Sequence, residues 1–409
     1  MQEERNDMRK MIIKKFRSLA VMGAVIVASP VLLSLNVGAA SGVAINDANF
    51  PDKGFQKYIK ENYDENNDGS LSTAEIDQVT RIEPGYVEIS DFTGLKYFPK
   101  LEYFVSYYDG VTEIDVSHNP ELNDLRVTSR LLDSIDVSCN PKLEYFTVNY
   151  MRIQNITILP GLDVKARADY QTIKSVKSSN EDIFEAKDDR DRDLFGNDCH
   201  IVCLKTKKAG NAKIVIKDIY GGEGEVNVKV VYKDVKDKSD FWYEPTYYLS
   251  DKDVVRGYDN QTMFKPANEC TRAQMVTFLW RLKGSPEPKT ATCKFSDVKK
   301  TDYFYKAVLW GNENGIVEGY KNGTFGPQII CARRHAVTFL WRLAGKPSAS
   351  TDKNKFKDVK SKDYFYNAVL WASEKGIVAG YSDGTFKPNG NCLRRQMVTF
   401  LYKYDKNLK

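Results

Sequence analysis

The chain has 409 residues, 42% of them apolar and 12% aromatic, with a formal net charge of +5. That leaves room for several cored domains and excludes overall disorder. The first forty residues hold six Lys/Arg and three Asp/Glu, so the rest balances at 54 basic against 52 acidic residues. That balance is too even for a nucleic-acid binder, and none is expected as a partner.

The N-terminus begins with a basic stretch, Arg9, Lys10, Lys14, Lys15 and Arg17, followed by an apolar run from Leu19 to Leu33 and the small residues Val37-Gly38-Ala39-Ala40. This pattern predicts a secretory signal peptide over 1–40, cleaved after Ala39 or Ala40. A retained membrane anchor is the rival reading; the apolar run of about 15 residues contains Pro30, whereas a spanning helix needs about 20. No transmembrane segment is expected after cleavage. Seven cysteines cannot all pair, and the expectation is reduced, buried thiols.

Over 41–80, Phe50, Phe55, Tyr58 and Ile59 suit one face of a short helix. Asp64, Asn66 and Asp68 then place oxygens at positions one, three and five of a twelve-residue loop. Gly69 permits a sharp turn, Ser70 offers its carbonyl, and Glu75 closes the loop. The stretch resembles an EF-hand loop, which implies Ca²⁺ in a structural role, capping the repeats that follow. The alternative is a solvated Asp/Asn turn capping a helix that starts at Ser72.

From 81 to 163 a 21-residue period appears. Leu101, Leu122 and Leu143 open successive units, and Ile114-Asp115-Val116-Ser117-His118-Asn119-Pro120 returns as Ile135-Asp136-Val137-Ser138-Cys139-Asn140-Pro141. A unit this short buries its apolar face only by stacking on its neighbours. The pattern resembles the leucine-rich repeat, which makes Asn119 and Asn140 backbone ligands within a short solenoid. The residues between the buried ones then face the concave side: Tyr103, Val105 and Tyr107; Asp124, Arg126 and Thr128; Tyr145, Thr147 and Asn149. Of these, Tyr103, Tyr107, Arg126 and Tyr145 are the candidates for contacting an unknown protein or glycan. A solenoid surface with no dedicated ligand is the competing reading. Residues 164–231 alternate apolar and polar, as in Ala212 to Asp218 and Glu225 to Tyr232. They resemble a bacterial immunoglobulin-like β-sandwich, expected to act as a spacer.

The remainder repeats with a period of about 61 residues. Cys270-Thr271-Arg272-Ala273 returns as Cys331-Ala332-Arg333-Arg334 and Cys392-Leu393-Arg394-Arg395. Each is preceded by a Gly-Tyr pair (Gly257, Gly319, Gly380), a Phe-x-Pro turn, and an aromatic-Lys/Ser-Asp-Val segment holding Asp234, Asp297 or Asp358. The triplicate strongly resembles the S-layer homology module, with units over 232–282, 293–344 and 355–406. That resemblance implies an all-α pseudo-threefold bundle whose grooves bind secondary cell-wall polysaccharide, with peptidoglycan as the alternative. It assigns glycan contact to Asp234, Gly257, Arg272, Asp297, Gly319, Arg333, Asp358, Gly380 and Arg394. The Glu of the family's Thr-Arg-Ala-Glu is replaced here by Gln274, His335 and Gln396, which puts the strength of each groove in question. Asp–Arg pairing between helices is the structural alternative for these residues. In the first unit, Pro245 and Asp253 predict a distorted first helix. Trp310 and Trp371 are read as core.

Three histidines, His118, His200 and His335, fall in three different modules, and no Ser/His/Asp set, phosphate loop or zinc spacing appears. The expected fold class is therefore a multidomain, non-enzymatic protein: secreted, cell-surface and wall-associated. A structural surface-layer component is the alternative, and a wall-active enzyme the least favoured.

Overall fold

Asp52 accepts the amide of Phe55 and so starts helix α1, Lys53–Tyr63. Phe55 and Ile59, one turn apart, form its buried face. Ser72 and Glu75 make a reciprocal capping box that starts the six-residue helix α2, Thr73–Gln78. β1 (Val43–Ala44), ahead of both helices, pairs antiparallel with β2 (Ser70–Leu71), which lies between them. The structure is a computed structural model that describes residues 42–108, 110–148, 153–168, 173–192, 198–350 and 353–408. The signal segment expected at 1–40 and Asn149 lie outside these residues. Among the described residues no helix is long and apolar enough to cross a membrane.

The helical cap covers the first turn of a parallel solenoid. Phe50, Phe55, Phe92 and Phe104 form a chain of ring contacts with centroids 4.9–5.7 Å apart. The sheet then runs through β3 (Arg81–Gly85), β4 (Tyr103–Ser106), β5 (Asp124–Val127) and β7 (Tyr145–Val148). Its register steps by the repeat, Tyr103↔Asp124↔Tyr145, so Phe104, Leu125 and Phe146 stack inward and are fully buried. Asn119 Nδ2 donates to the Leu95 and Phe98 carbonyls, and Asn140 Nδ2 donates to those of Val116 and Asn119. Each asparagine thus ties its turn to the one before it.

The sandwich expected over 164–231 is not an independent spacer, because both of its sheets are continuations of solenoid sheets. β7 pairs in parallel with β9 (Asp163–Ala168), which pairs with β12 (Asp198–Thr206) and then β11 (Phe184–Arg192). The second sheet joins β6 (Ser134–Asp136) and β8 (Asn155–Ile158) to β14 (Glu223–Val230), β13 (Gly210–Asp218) and β10 (Ile173–Ser178). One hydrophobic core runs from Phe50 to Val230 without a break at 163/164.

Each C-terminal unit contributes two helices: α3 (Tyr243–Asp251) and α4 (Arg272–Leu282), α5 (Tyr305–Glu313) and α6 (Arg333–Leu343), α7 (Tyr366–Glu374) and α8 (Arg394–Asn407). The first helix of a unit packs on the second helix of the preceding unit, and α3 packs on α8, so the three units close in a ring. At the centre the Cys270 amide donates to the Cys392 carbonyl, Cys331 to Cys270, and Cys392 to Cys331, at 2.8–2.9 Å. All three thiols are buried and free. Contrary to expectation, α3 is as long as α5 and α7: Pro245 falls in its first turn, where no intrahelical donor is lost. Asp253 takes the left-handed stop (φ +55°) that Gly315 and Gly376 provide elsewhere. Trp371 and Trp310 are buried in this core.

The ring is fastened to the sandwich. Lys238 pairs with Asp136 at 2.8 Å, Asn211 Nδ2 donates to Asp251, and the Ala209 amide donates to the Gln261 carbonyl.

Candidate functional site

The three repeated arginines lie at the first positions of α4, α6 and α8, with only 4, 4 and 2% of their surface exposed. Each reaches into the next unit around the ring. Arg272 Nε donates to Phe325 O, Arg333 Nε to Phe386 O, and Arg394 Nε to Phe264 O, at 2.8–3.0 Å. Each guanidinium also lies 4.7–5.1 Å from the ring of the tyrosine that follows the repeated glycine: Tyr320, Tyr381 or Tyr258. Each unit junction therefore sets an arginine from one unit against a Gly-Tyr loop from the next. At two of the junctions an exposed tyrosine from the remaining unit, Tyr303 or Tyr364, lies alongside. Burial raises the pKa of Tyr303 against the pull of Arg281 and Arg394 beside it, and that of Tyr364 against Arg334 and Arg272. Arg395 lies over Trp242, which packs edge-on with exposed Phe241.

The repeated aspartates do not pair with the arginines. Asp234 accepts the amides of Phe264 and Lys265, Asp297 those of Phe325 and Gly326, and Asp358 those of Phe386 and Lys387, at 2.7–2.8 Å. Both oxygens of each carboxylate thus hold the Phe-x-Pro loop, leaving only second lone pairs for a ligand. The glycines also have a packing reason. A Cβ on Gly257, Gly319 or Gly380 would come within 2.3–2.5 Å of Tyr232, Phe295 or Phe356.

The position of the missing Glu divides the units. Gln274 and Gln396 reach back to their own N-cap amides and donate to Tyr258 and Tyr381 hydroxyls. His335 does neither, and its buried Nδ1 has no partner. Burial, with Arg272 and Arg334 nearby, lowers its pKa to about 4, so it is neutral at physiological pH. The groove tyrosines and the flanking aromatics were not singled out from sequence. Their signal was there, in the Gly-Tyr pairs and in Phe241-Trp242-Tyr243, Tyr303-Phe304-Tyr305 and Tyr364-Phe365-Tyr366.

On the solenoid face, Arg126 makes a two-bond ion pair with Asp124 (2.8 and 2.6 Å) that holds its proton more tightly. Arg81 stacks on Tyr103 at 3.5 Å, and Arg126 lies 5.6 Å from the same ring. Tyr107 meets exposed Tyr86 at 5.3 Å, and Lys165 lies over exposed Tyr145. Val105 and Asp124, expected to face the concave side, are buried.

In the 64–75 loop the oxygens keep the expected order, and Gly69 has φ +81°. Asp64 accepts the Asp68 and Gly69 amides, and Glu75 accepts those of Glu65 and Ser72. Each oxygen retains a second lone pair, so the donor types suit a hard cation. As placed, no three acidic, His or Cys side chains among the described residues converge as a metal-holding group.

The S-layer homology domain matches three stretches of the chain: residues 231–276, 294–328 and 355–398. These are the three units of the ring. A cellulosome-anchoring protein of Acetivibrio thermocellus is 29% identical over 157 residues, covering 36% of this chain and 34% of that protein. An endoglucanase of a Bacillus species is 34% identical over 30% of this chain and 13% of the enzyme. The chain therefore spans well under two thirds of either relative. The functional domain of InlJ from Listeria monocytogenes aligns over 39% of this chain and 45% of that one at 14% identity, with a TM-score of 0.20. Further relatives include surface-layer proteins. The protein is one of the cell surface, associated with the cell wall.

Proposed function

We propose that the three S-layer homology units hold the protein non-covalently to the wall by binding an acidic secondary wall polysaccharide, and that the solenoid displays a non-catalytic binding face for a protein or glycan. The observation that carries this reading is the threefold junction, in which a buried guanidinium lies beside a tyrosine ring. A guanidinium matches a carboxylate in two-bond geometry, and an aromatic face suits a sugar ring. The similarity to an anchoring protein supports it. Peptidoglycan is the alternative ligand. Calorimetric titration of the full chain with polysaccharide released from walls, and separately with peptidoglycan fragments, tests the choice. Binding of the polysaccharide supports the proposal; binding of peptidoglycan alone transfers the role to that polymer.

The 64–75 loop is proposed to take a structural Ca²⁺ through Asp64, Asn66, Asp68, the Ser70 carbonyl and Glu75. The ion would neutralise two buried carboxylates next to the first solenoid turn.

A further inference from the structure

The outer face of the second sheet carries a cleft that shares no residue with the unit junctions or the concave face. Val226, Val228 and Val230 of β14 turn into the core, so Asn227 and Lys229 between them face outward. The register sets Lys229 between Thr157 of β8 and Asn211 of β13, and Asn227 between Asn155 and Lys213. With Ser179 at the edge, these residues line a cleft of about 580 Å³. It lies beside the joint between sandwich and ring, where Asn211 Nδ2 donates to Asp251, the last residue of α3, at 2.8 Å.

The cleft has one cation to spare. Lys213 is paired with Glu225. Lys229 is half-buried, with Nζ 4.0 Å from the Tyr247 ring and 5.2 Å from that of Tyr243. Its N–H groups meet no carboxylate or carbonyl among the described residues. Ring contacts favour the charge without using its donors. Burial lowers its pKa against the pull of Asp251, so the ammonium is short of both water and a counter-charge. Nζ is not among the sealed, unpartnered atoms, so its donors open on the cleft. A desolvated ammonium with free donors calls for an anion.

The rest of the lining is amide chemistry. Asn227 Nδ2 donates to Asn155 Oδ1 at 3.1 Å, which leaves Asn227 Oδ1 as an acceptor and Asn155 Nδ2 as a donor. Asn211, held through Nδ2, keeps its Oδ1. Open carboxamide oxygens repel a phosphate, whose oxygens are acceptors too, and they match the N–H of a peptide group, whose carbonyl the open amide nitrogen matches. A neutral sugar would leave Lys229 uncompensated.

We propose that this cleft binds the C-terminal end of a short peptide, with its carboxylate on Lys229 and its amide groups on Asn155, Asn211 and Asn227.

Equilibrium dialysis of the full chain against labelled tetra-alanine with a free carboxylate, and against the same peptide amidated at its C-terminus, tests it. The expected result is one peptide per chain and at least a tenfold weaker interaction after amidation. Lys229→Met and the exposed Asn227→Asp are each expected to weaken binding at least tenfold, with the melting temperature of Asn227→Asp close to that of the parent. Equal binding of the amidated peptide, binding of neither, or undiminished binding by folded Lys229→Met and Asn227→Asp would overturn the proposal. Displacement of the peptide by maltotetraose would give the cleft to a neutral sugar, and displacement by inorganic phosphate at lower concentration than by acetate would give it to a phosphate; either overturns the peptide assignment. Wall anchoring stands or falls separately from all of these results.

Discussion

Asn140 shows what a single residue does in this fold. Its amide satisfies two buried carbonyls, Val116 and Asn119, one turn back along the solenoid. Asn140→Ala removes one of the two hydrogen bonds that each carbonyl accepts, the other coming from the Asn119 or Leu122 amide, and is expected to cost about 1–3 kcal/mol in urea unfolding. The role was legible because Asn recurs at one position of a visible repeat. The arginines were harder to read, since sequence shows a recurring cation but not that its acceptor is a carbonyl 53 residues further on. His335 makes the sharpest single-residue case. Its folded pKa is lowered to about 4 from an ordinary value of 6.5, chiefly by burial. Between those values the unfolded chain binds the proton and the folded chain does not, so stability falls as pH drops from 6.5 to 4 and is level above 7. Allowing for partial exposure, the loss is about 1–2 kcal/mol. His335→Gln, which matches the other two units, is expected to remove that slope and raise stability at pH 7 by about 1 kcal/mol through the N-cap bond it restores. Urea titrations at pH 4.5 and 7.5 measure both effects.

At the scale of elements, local pattern was legible and long-range pairing was not. The 21-residue period announces parallel strands, and alternation announces the hairpins of 210–230. Nothing local says that Ile156 pairs with Val228, or Tyr145 with Lys165, and those pairings merge solenoid and sandwich. A fragment ending at residue 163 keeps β7 and β8 but loses the strands that cover them, leaving open edges. Fragment 42–163 is expected to unfold without a cooperative transition, whereas 42–231 unfolds cooperatively; circular dichroism during heating distinguishes the two. The 64–75 loop makes a separate element-scale prediction. Millimolar Ca²⁺ is expected to raise the melting temperature relative to chelator by several degrees, and Glu75→Gln to abolish the difference. An unchanged melting temperature would leave the loop as a self-bonded helix cap.

At the scale of the whole molecule, the ring explains why three units occur together. Each unit's helix N-terminus is completed by the next unit's loop: the Arg272 amide donates to Ile329, Arg333 to Gly390 and Arg394 to Asn268. A single unit would leave these donors open and its apolar helix faces uncovered. The triplication and the helix pairs are legible in the sequence, because motif spacing carries both. The direction of the interlock depends on backbone contacts between units, which residue identity does not reveal.

The most direct test of wall anchoring is sedimentation of the full chain with isolated cell walls, before and after their secondary polysaccharide is stripped. The account predicts that the protein pellets with intact walls, stays in solution with stripped ones, and is released from intact walls by free polysaccharide. Protein that remains in solution with intact walls would contradict it.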